Sequence, residues 1–121
     1  MTEDTGFRPA HRLGRVIGFA AVFANRRVLR GALFDLHYRP NEADTVRLGV
    51  VIPKRNARRA VLRNRFKRLA REVFRHQRKD LPKMDLVLRL ARPADSRAVE
   101  NAVVREDIQR LLSRLLTDAS R

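Results

Sequence analysis

Arg47–Arg75 reads RLGVVIPKRNARRAVLRNRFKRLAREVFR. Two periods meet in it. Val46–Ile52 is a short apolar run stopped by Pro53, which predicts a strand, central in its sheet. After the basic loop that opens at Lys54, the period changes. Leu62, Phe66, Leu69 and Val73 recur on one narrow stripe at about 100° per residue, with Ala70 beside them. That predicts a helix from about Ala60 to Arg78. A strand feeding a one-sided helix is half of a strand–helix–strand unit, so the fold turns on what comes next.

Asp80–Lys83, DLPK, breaks the chain, and Met84–Ala91, MDLVLRLA, predicts another strand. The unit therefore implies a parallel pair, with a right-handed crossover by base rate. Upstream, Ala32–Arg39 alternates: Ala32, Phe34, Leu36 and Tyr38 point one way, and Leu33, Asp35, His37 and Arg39 the other. Arg39–Asp44, RPNEAD, is a turn-forming link that predicts a hairpin between this strand and the next. Leu13–Asn25 carries a short helical pattern in Leu13, Val16, Ile17, Ala20 and Phe23, with Phe19 one turn before Phe23. Gly18 weakens that helix by about 1 kcal/mol. Asp95 or Ser96 can cap a last helix running to about Thr117, where Arg110 and Arg114 complement the helix dipole. The order is helix, strand, strand, helix, strand, helix. The expected class is α/β in the α+β sense: a two-layer sandwich with helices on a small mixed sheet. One domain is expected over 13–117, with flexible ends at 1–12 and 118–121.

With 121 residues, 44% of them hydrophobic, the chain can build a core, which excludes a disordered basic tail. The net charge of +15 calls for a polyanion. From Lys54 to Lys79 twelve basic residues accompany one acid, Glu72, so this segment holds +11 of the total. On the helix, Asn64, Lys67, Arg68, Arg71 and Arg75 cluster opposite the apolar stripe, and Arg63 and Arg65 flank it. Like charges three and four residues apart repel, so a merely solvated face would mix in more acids. Arginine outnumbers lysine here, and its planar fork holds phosphate in two bonds and stacks on bases. The loop also brings its amides and guanidinium groups to a helix N-terminus, which attracts phosphate. No cysteine is present, so there is no disulfide framework or thiolate metal site. Val16–Ala24 is half the length needed to cross a bilayer, and the polar start carries no signal-peptide pattern, so a cytoplasmic location is expected.

The quoted stretch closely resembles the protein component of bacterial ribonuclease P. The resemblance rests on a strand ending in Lys54–Arg55, a short loop, Ala60–Val61, Arg63–Asn64–Arg65, Lys67–Arg68 and Arg71–Glu72–Val73–Phe74–Arg75. Phe19–Phe23 is similar to the family's first helix and Asp85–Leu88 to its third strand, so the likeness runs from about Leu13 to Leu116. The loop departs from the family at Asn56–Arg59, where many members have glycine, and Gly18 replaces a more usual polar residue. The resemblance implies a ribonucleoprotein endoribonuclease that trims the 5′ leader of precursor tRNA. Its catalytic centre lies in the RNA subunit, and Mg2+ is held mainly by that RNA and the substrate. It implies that Lys54, Arg55, Arg58, Arg59, Arg63, Asn64, Arg65, Lys67, Arg68, Arg71 and Arg75 bind the RNA subunit. It places Phe19 and Phe23 in a separate cleft for the single-stranded leader, and it implies a left-handed crossover, against the base rate. No membrane and no obligate protein partner are expected.

Phe19 and Phe23 read by spacing alone as core; as exposed platforms they would stack bases without sequence preference. His11, His37 and His76 have no metal-ligand spacing. Asp35 and Asp85 lie in or beside strands; a place near bound magnesium is open to them, but strand termini and local salt bridges explain them more cheaply. There is no nucleophile–base pair and no phosphate loop, so no side chain is assigned to catalysis. A ribosomal or assembly RNA-binding protein would share the charge and the layout. A DNA-binding module is disfavoured because a strand, not a helix, precedes the basic helix. A membrane-surface helix is disfavoured because the flanking strands should already cover the apolar stripe.

Overall fold

Met84–Leu90 is the strand on which the molecule is assembled. Its MDLVLRL sequence leaves only Arg89 partly exposed, as expected of a strand with neighbours on both edges and helices on both faces. The computed structural model describes residues 16–24, 27–41, 45–94 and 100–119, and side chains within those spans from 20 to 117. The elements are α1 (Val16–Ala24), β1 (Arg27–Arg30), β2 (Phe34–Pro40), β3 (Arg47–Val51), α2 (Ala60–Gln77), β4 (Met84–Leu90) and α3 (Asn101–Ala119); a 3₁₀ turn, Arg78–Asp80, follows α2. The expectations for residues 1–12 and for a cap at Asp95 or Ser96 lie outside the described residues.

The four strands form one mixed sheet in the order β1-β2-β4-β3. β4 pairs antiparallel with β2 along its whole length, Phe34 opposite Leu90 and Pro40 opposite Met84. It pairs parallel with β3, Leu48 opposite Leu86. The parallel pair across α2 is therefore present, but two expectations need correction. β2 and β3 do not form a hairpin, because β4 inserts between them; β4 offers β2 a seven-residue antiparallel ladder that the shorter β3 cannot match. β3 is accordingly an edge strand and β4 a central one. The order also gains a strand, becoming α-β-β-β-α-β-α, because β1 pairs with β2 antiparallel.

Alternation divides the sheet into two faces. Phe34, Leu36, Tyr38, Leu48, Leu86, Leu88 and Leu90 join the α2 stripe, Leu62, Phe66, Leu69, Ala70 and Val73, and the α3 residues Val104, Ile108, Leu111, Leu112 and Leu115 in one core. On the other face a much smaller cluster forms from Val22 and Val87, with Phe23 and Val51 against it. That face is where α1 lies, against β2 and β4.

A buried carboxylate ties α3 to the β1–β2 hairpin. Asp107 is 2% exposed and accepts from the amides of Ala32 at 2.8 Å, Leu33 at 3.0 Å and Phe34 at 3.0 Å. The turn approaches α3 so closely that a Cβ on Gly31 would lie 2.7 Å from Asp107 Oδ1 and 2.9 Å from the Phe34 carbonyl oxygen, so only glycine fits.

Candidate nucleic-acid interface

α2 begins after Arg59, whose backbone is extended and whose carbonyl accepts from the amides of Leu62 and Arg63. No acidic residue sits in its first turn. The positive end of the helix dipole therefore adds to the guanidinium charge instead of being neutralised. Lys54, Arg55, Arg58, Arg59, Asn64, Arg68 and Arg71 are exposed; Arg63, Arg65, Lys67 and Arg75 are half-buried. All eleven predicted residues thus lie in one continuous segment, on the loop and on the sides of α2 away from its apolar stripe.

Three of the half-buried ones, Arg63, Arg65 and Arg75, also make contacts within the protein. Arg63 Nη1 donates to the carbonyls of Ala57 at 2.9 Å and Arg58 at 2.6 Å, bracing the loop against the first helical turn. Its fork carries five N–H groups, so the brace leaves donors over. The Arg65 guanidinium stands 5.5 Å from the centroid of the Phe66 ring. Arg75 Nη2 lies 3.4 Å from His76 Nε2. Glu72, which helical spacing pairs with Arg68, instead accepts from Arg105 Nε of α3 at 3.0 Å. Arg68 is thereby left on the outer wall.

The departure of the loop from glycine has a local explanation. Asn56 is buried; its Nδ2 donates to the Leu90 carbonyl at 2.8 Å, and its own carbonyl accepts from the Ala94 amide at 2.7 Å. The Asn56 and Ala57 amides donate to the Pro53 carbonyl. An asparagine thus anchors the loop to the end of β4.

The α1 side of the sheet has a different chemistry. Phe23 is half-buried and meets His37 edge to face, ring centroids 4.7 Å apart at 84°. The side chain of Phe19 lies outside the described residues. His37 Nε2 is buried with no hydrogen-bond partner. Loss of water around the ring lowers its pKa from 6.5; Asp35 opposes this, and Arg89 and Arg30 add to it. Asp85 is held by Arg47, with Nε–Oδ1 at 2.7 Å and Nη2–Oδ2 at 2.9 Å, and also accepts from Asn41 Nδ2 at 2.7 Å. Asp35 lies between Arg30 and Arg92. Both strand carboxylates are thus in local ion pairs, as expected.

The family model for ribonuclease P matches residues 7–116. The ribonuclease P protein component of Azoarcus sp. strain BH72 is 49% identical over 119 residues, covering 95% of this chain and 98% of that protein. The corresponding protein of Aromatoleum aromaticum is 45% identical, covering 92% of each. The chain belongs to the ribonuclease P protein family. Among solved structures, the RNase P protein from Thermotoga maritima shares 30% identity with a TM-score of 0.70, covering 85% of this chain and 96% of that one. The RNase P protein of Staphylococcus aureus, 23% identical, has the same fold at a TM-score of 0.77, covering 86% and 94%.

Sequence reasoning about this ribonuclease P protein missed Asn56, the Asp107 tie and the Phe23–His37 contact. Only the last had a usable signal: His37 alternates onto the sheet face opposite Phe34, Leu36 and Tyr38. Among the described residues, no group of three or more His, Asp or Glu side chains is arranged to hold a metal ion, and no helix is long and apolar enough to cross a membrane.

Proposed function

We propose that this ribonuclease P protein binds the catalytic RNA subunit through the outer wall of α2 and the Lys54–Arg59 loop. On the other side of the sheet, beside α1, it holds the 5′ leader of precursor tRNA, and so assists magnesium-dependent removal of that leader. One observation carries the reading: α2 and α1 pack on opposite faces of the same sheet. Two nucleic-acid segments can therefore be held at once without competing for one surface.

In this reading the α2 wall acts by charge. Its exposed guanidinium groups replace condensed counterions on the RNA, so affinity falls steeply with salt. The α1 side acts by contact. Phe23 offers an aromatic edge that a splayed base can pack on, whatever its identity. Holding leader and RNA subunit in one fixed relation reduces the entropy lost at cleavage. Asp35 and Asp85 are committed to arginines and Asp107 to three amides, so the sheet does not offer magnesium a ligand set. In this reading magnesium is held mainly by the RNA subunit and the substrate, and the protein acts in the cytoplasm.

The test is reconstitution with the cognate RNA at low magnesium. Faster cleavage of precursor tRNA on adding the protein is expected. An RNA subunit that cleaves equally well with and without the protein defeats the reading.

A further inference from the structure

Glu72 is the one acid between Lys54 and Lys79, and it lies on the helix that carries the arginine wall. Its neighbours one turn away within α2 include Arg68, Arg75 and His76. A carboxylate left to these would draw in a cation and take it from the wall. Arg68 is the exposed arginine among them.

The fold directs the carboxylate elsewhere. Glu72 Oε1 accepts from Arg105 Nε of α3 at 3.0 Å. The pair sits at the rim of the seam between the two helices. Val73 and Val104, its neighbours in sequence, are buried in the common core, while the Glu72 and Arg105 side chains stay 35% and 39% exposed. Arg105 is available because its own helix gives it no acid: the positions three and four residues away are Asn101, Ala102, Ile108 and Gln109. Arg110, by contrast, pairs with Glu106 inside α3 at 2.9 Å, an exposed contact between successive turns. One arginine of α3 is thus paired locally, and the other reaches across to α2. An unpaired carboxylate on the wall would act twice, by neutralising a guanidinium group and by repelling phosphate. Held by Arg105, Glu72 does neither at close range.

We propose that Arg105 is a positioning residue for RNA-subunit binding: it holds Glu72 at the α2–α3 seam and so keeps Arg68 free for phosphate. The role rests on the RNA-binding reading of α2 above. It adds to that reading a residue from outside the basic segment, acting through Glu72 and not by touching RNA.

The experiment measures affinity of the full chain for the cognate RNA subunit across a salt series, with thermal unfolding alongside. The variants are Arg105→Gln, Glu72→Gln, the two combined, and Arg110→Gln. Arg105→Gln releases Glu72 and should weaken binding about threefold to tenfold, with the log–log salt slope lower by about 1, as for one lost phosphate contact. Glu72→Gln should bind at least as tightly as wild type. The combined variant should return to within about twofold of wild type and recover the slope, a rescue that a packing defect at the seam would not give. Arg110→Gln removes the same charge from the same helix and should change affinity by less than about twofold, which separates the local effect from that of net charge. Unfolding midpoints should stay close together, since the paired side chains are partly in solvent. A combined variant as weak as Arg105→Gln overturns the proposal, because Arg105 then acts without Glu72. Wild-type affinity and slope in Arg105→Gln also overturn it, as does an equal loss in Arg110→Gln. A wild type whose affinity does not vary with salt overturns the RNA-binding reading of α2 and the role of Arg105 with it.

Discussion

The two faces of the sheet are made from the same strands yet built to different rules. Toward α2 and α3, Leu36, Leu86, Leu88 and Leu90 are fully or almost fully buried and meet three large aromatic rings, Phe34, Phe66 and Phe74. Toward α1, a narrow apolar strip of Val22, Val87, Phe23 and Val51 has charged residues on both sides: Arg30, Asp35 and Arg89 in one direction, Asp85 and Arg47 in the other. Alternation along each strand lets one face carry stability while the other keeps polar groups near solvent. α2 repeats the division within a single helix, since its stripe belongs to the core and its wall to the outside.

The comparison can be broken most forcefully from the core side. Phe66→Ala removes a fully buried ring and should cost about 3–5 kcal/mol in denaturant unfolding. A loss below about 1 kcal/mol would mean that the α2 stripe is not a core element. Phe23→Ala, on the opposite face, should reduce the preference for precursor over mature tRNA by about 1–3 kcal/mol. Unchanged preference with lowered stability would make Phe23 a packing residue only. Arg68→Ala/Arg71→Ala should leave unfolding within about 0.5 kcal/mol of wild type, since both side chains are exposed. RNA-subunit affinity should nevertheless drop roughly tenfold, and the salt slope by about 2.

The smallest effect is with pH. His37 favours its neutral form in the folded chain, so its folded pKa lies below 6.5. The unfolded chain then binds the proton more readily, and this contribution to stability is present above pH 6.5 and lost as pH falls toward the folded value. His37→Phe should make thermal unfolding less sensitive to a change from about pH 7.5 to about pH 5.5. Equal sensitivity in both proteins would place the His37 ring in water.

Long, regular patterns were legible in the sequence. The α2 stripe, the alternation of β2 and the apolar run of β4 each lead to the right element, and the arginine wall follows from the same helical wheel. The failures are physical in origin. β1, RVLR, is four residues long and buries only Leu29, so it has no period to detect. The short link between β2 and β3 favoured a hairpin, yet pairing is decided by the whole ladder, and β4 competed more strongly for the edge of β2. Asn56 and Asp107 act on backbone groups far away in the chain, at Leu90 and at Ala32 to Phe34, which no local pattern reports. The cluster around Asp35 likewise joins residues from β1, β2 and the segment after β4.

The place of β4 in the sheet also governs how the chain can fold. It is the last strand made and the one that both β2 and β3 need. Before Met84–Leu90 is available, β1 and β2 can form a two-stranded hairpin of marginal stability, while β3 has no neighbour at all. Closing the parallel pair also requires α2 to be threaded between its strands first, a long-range step that slows folding. A nascent chain shorter than this strand therefore leaves open the two edges that β4 later covers, one on β2 and one on β3, beside its arginine-rich helix. The structure becomes cooperative only when its central strand arrives.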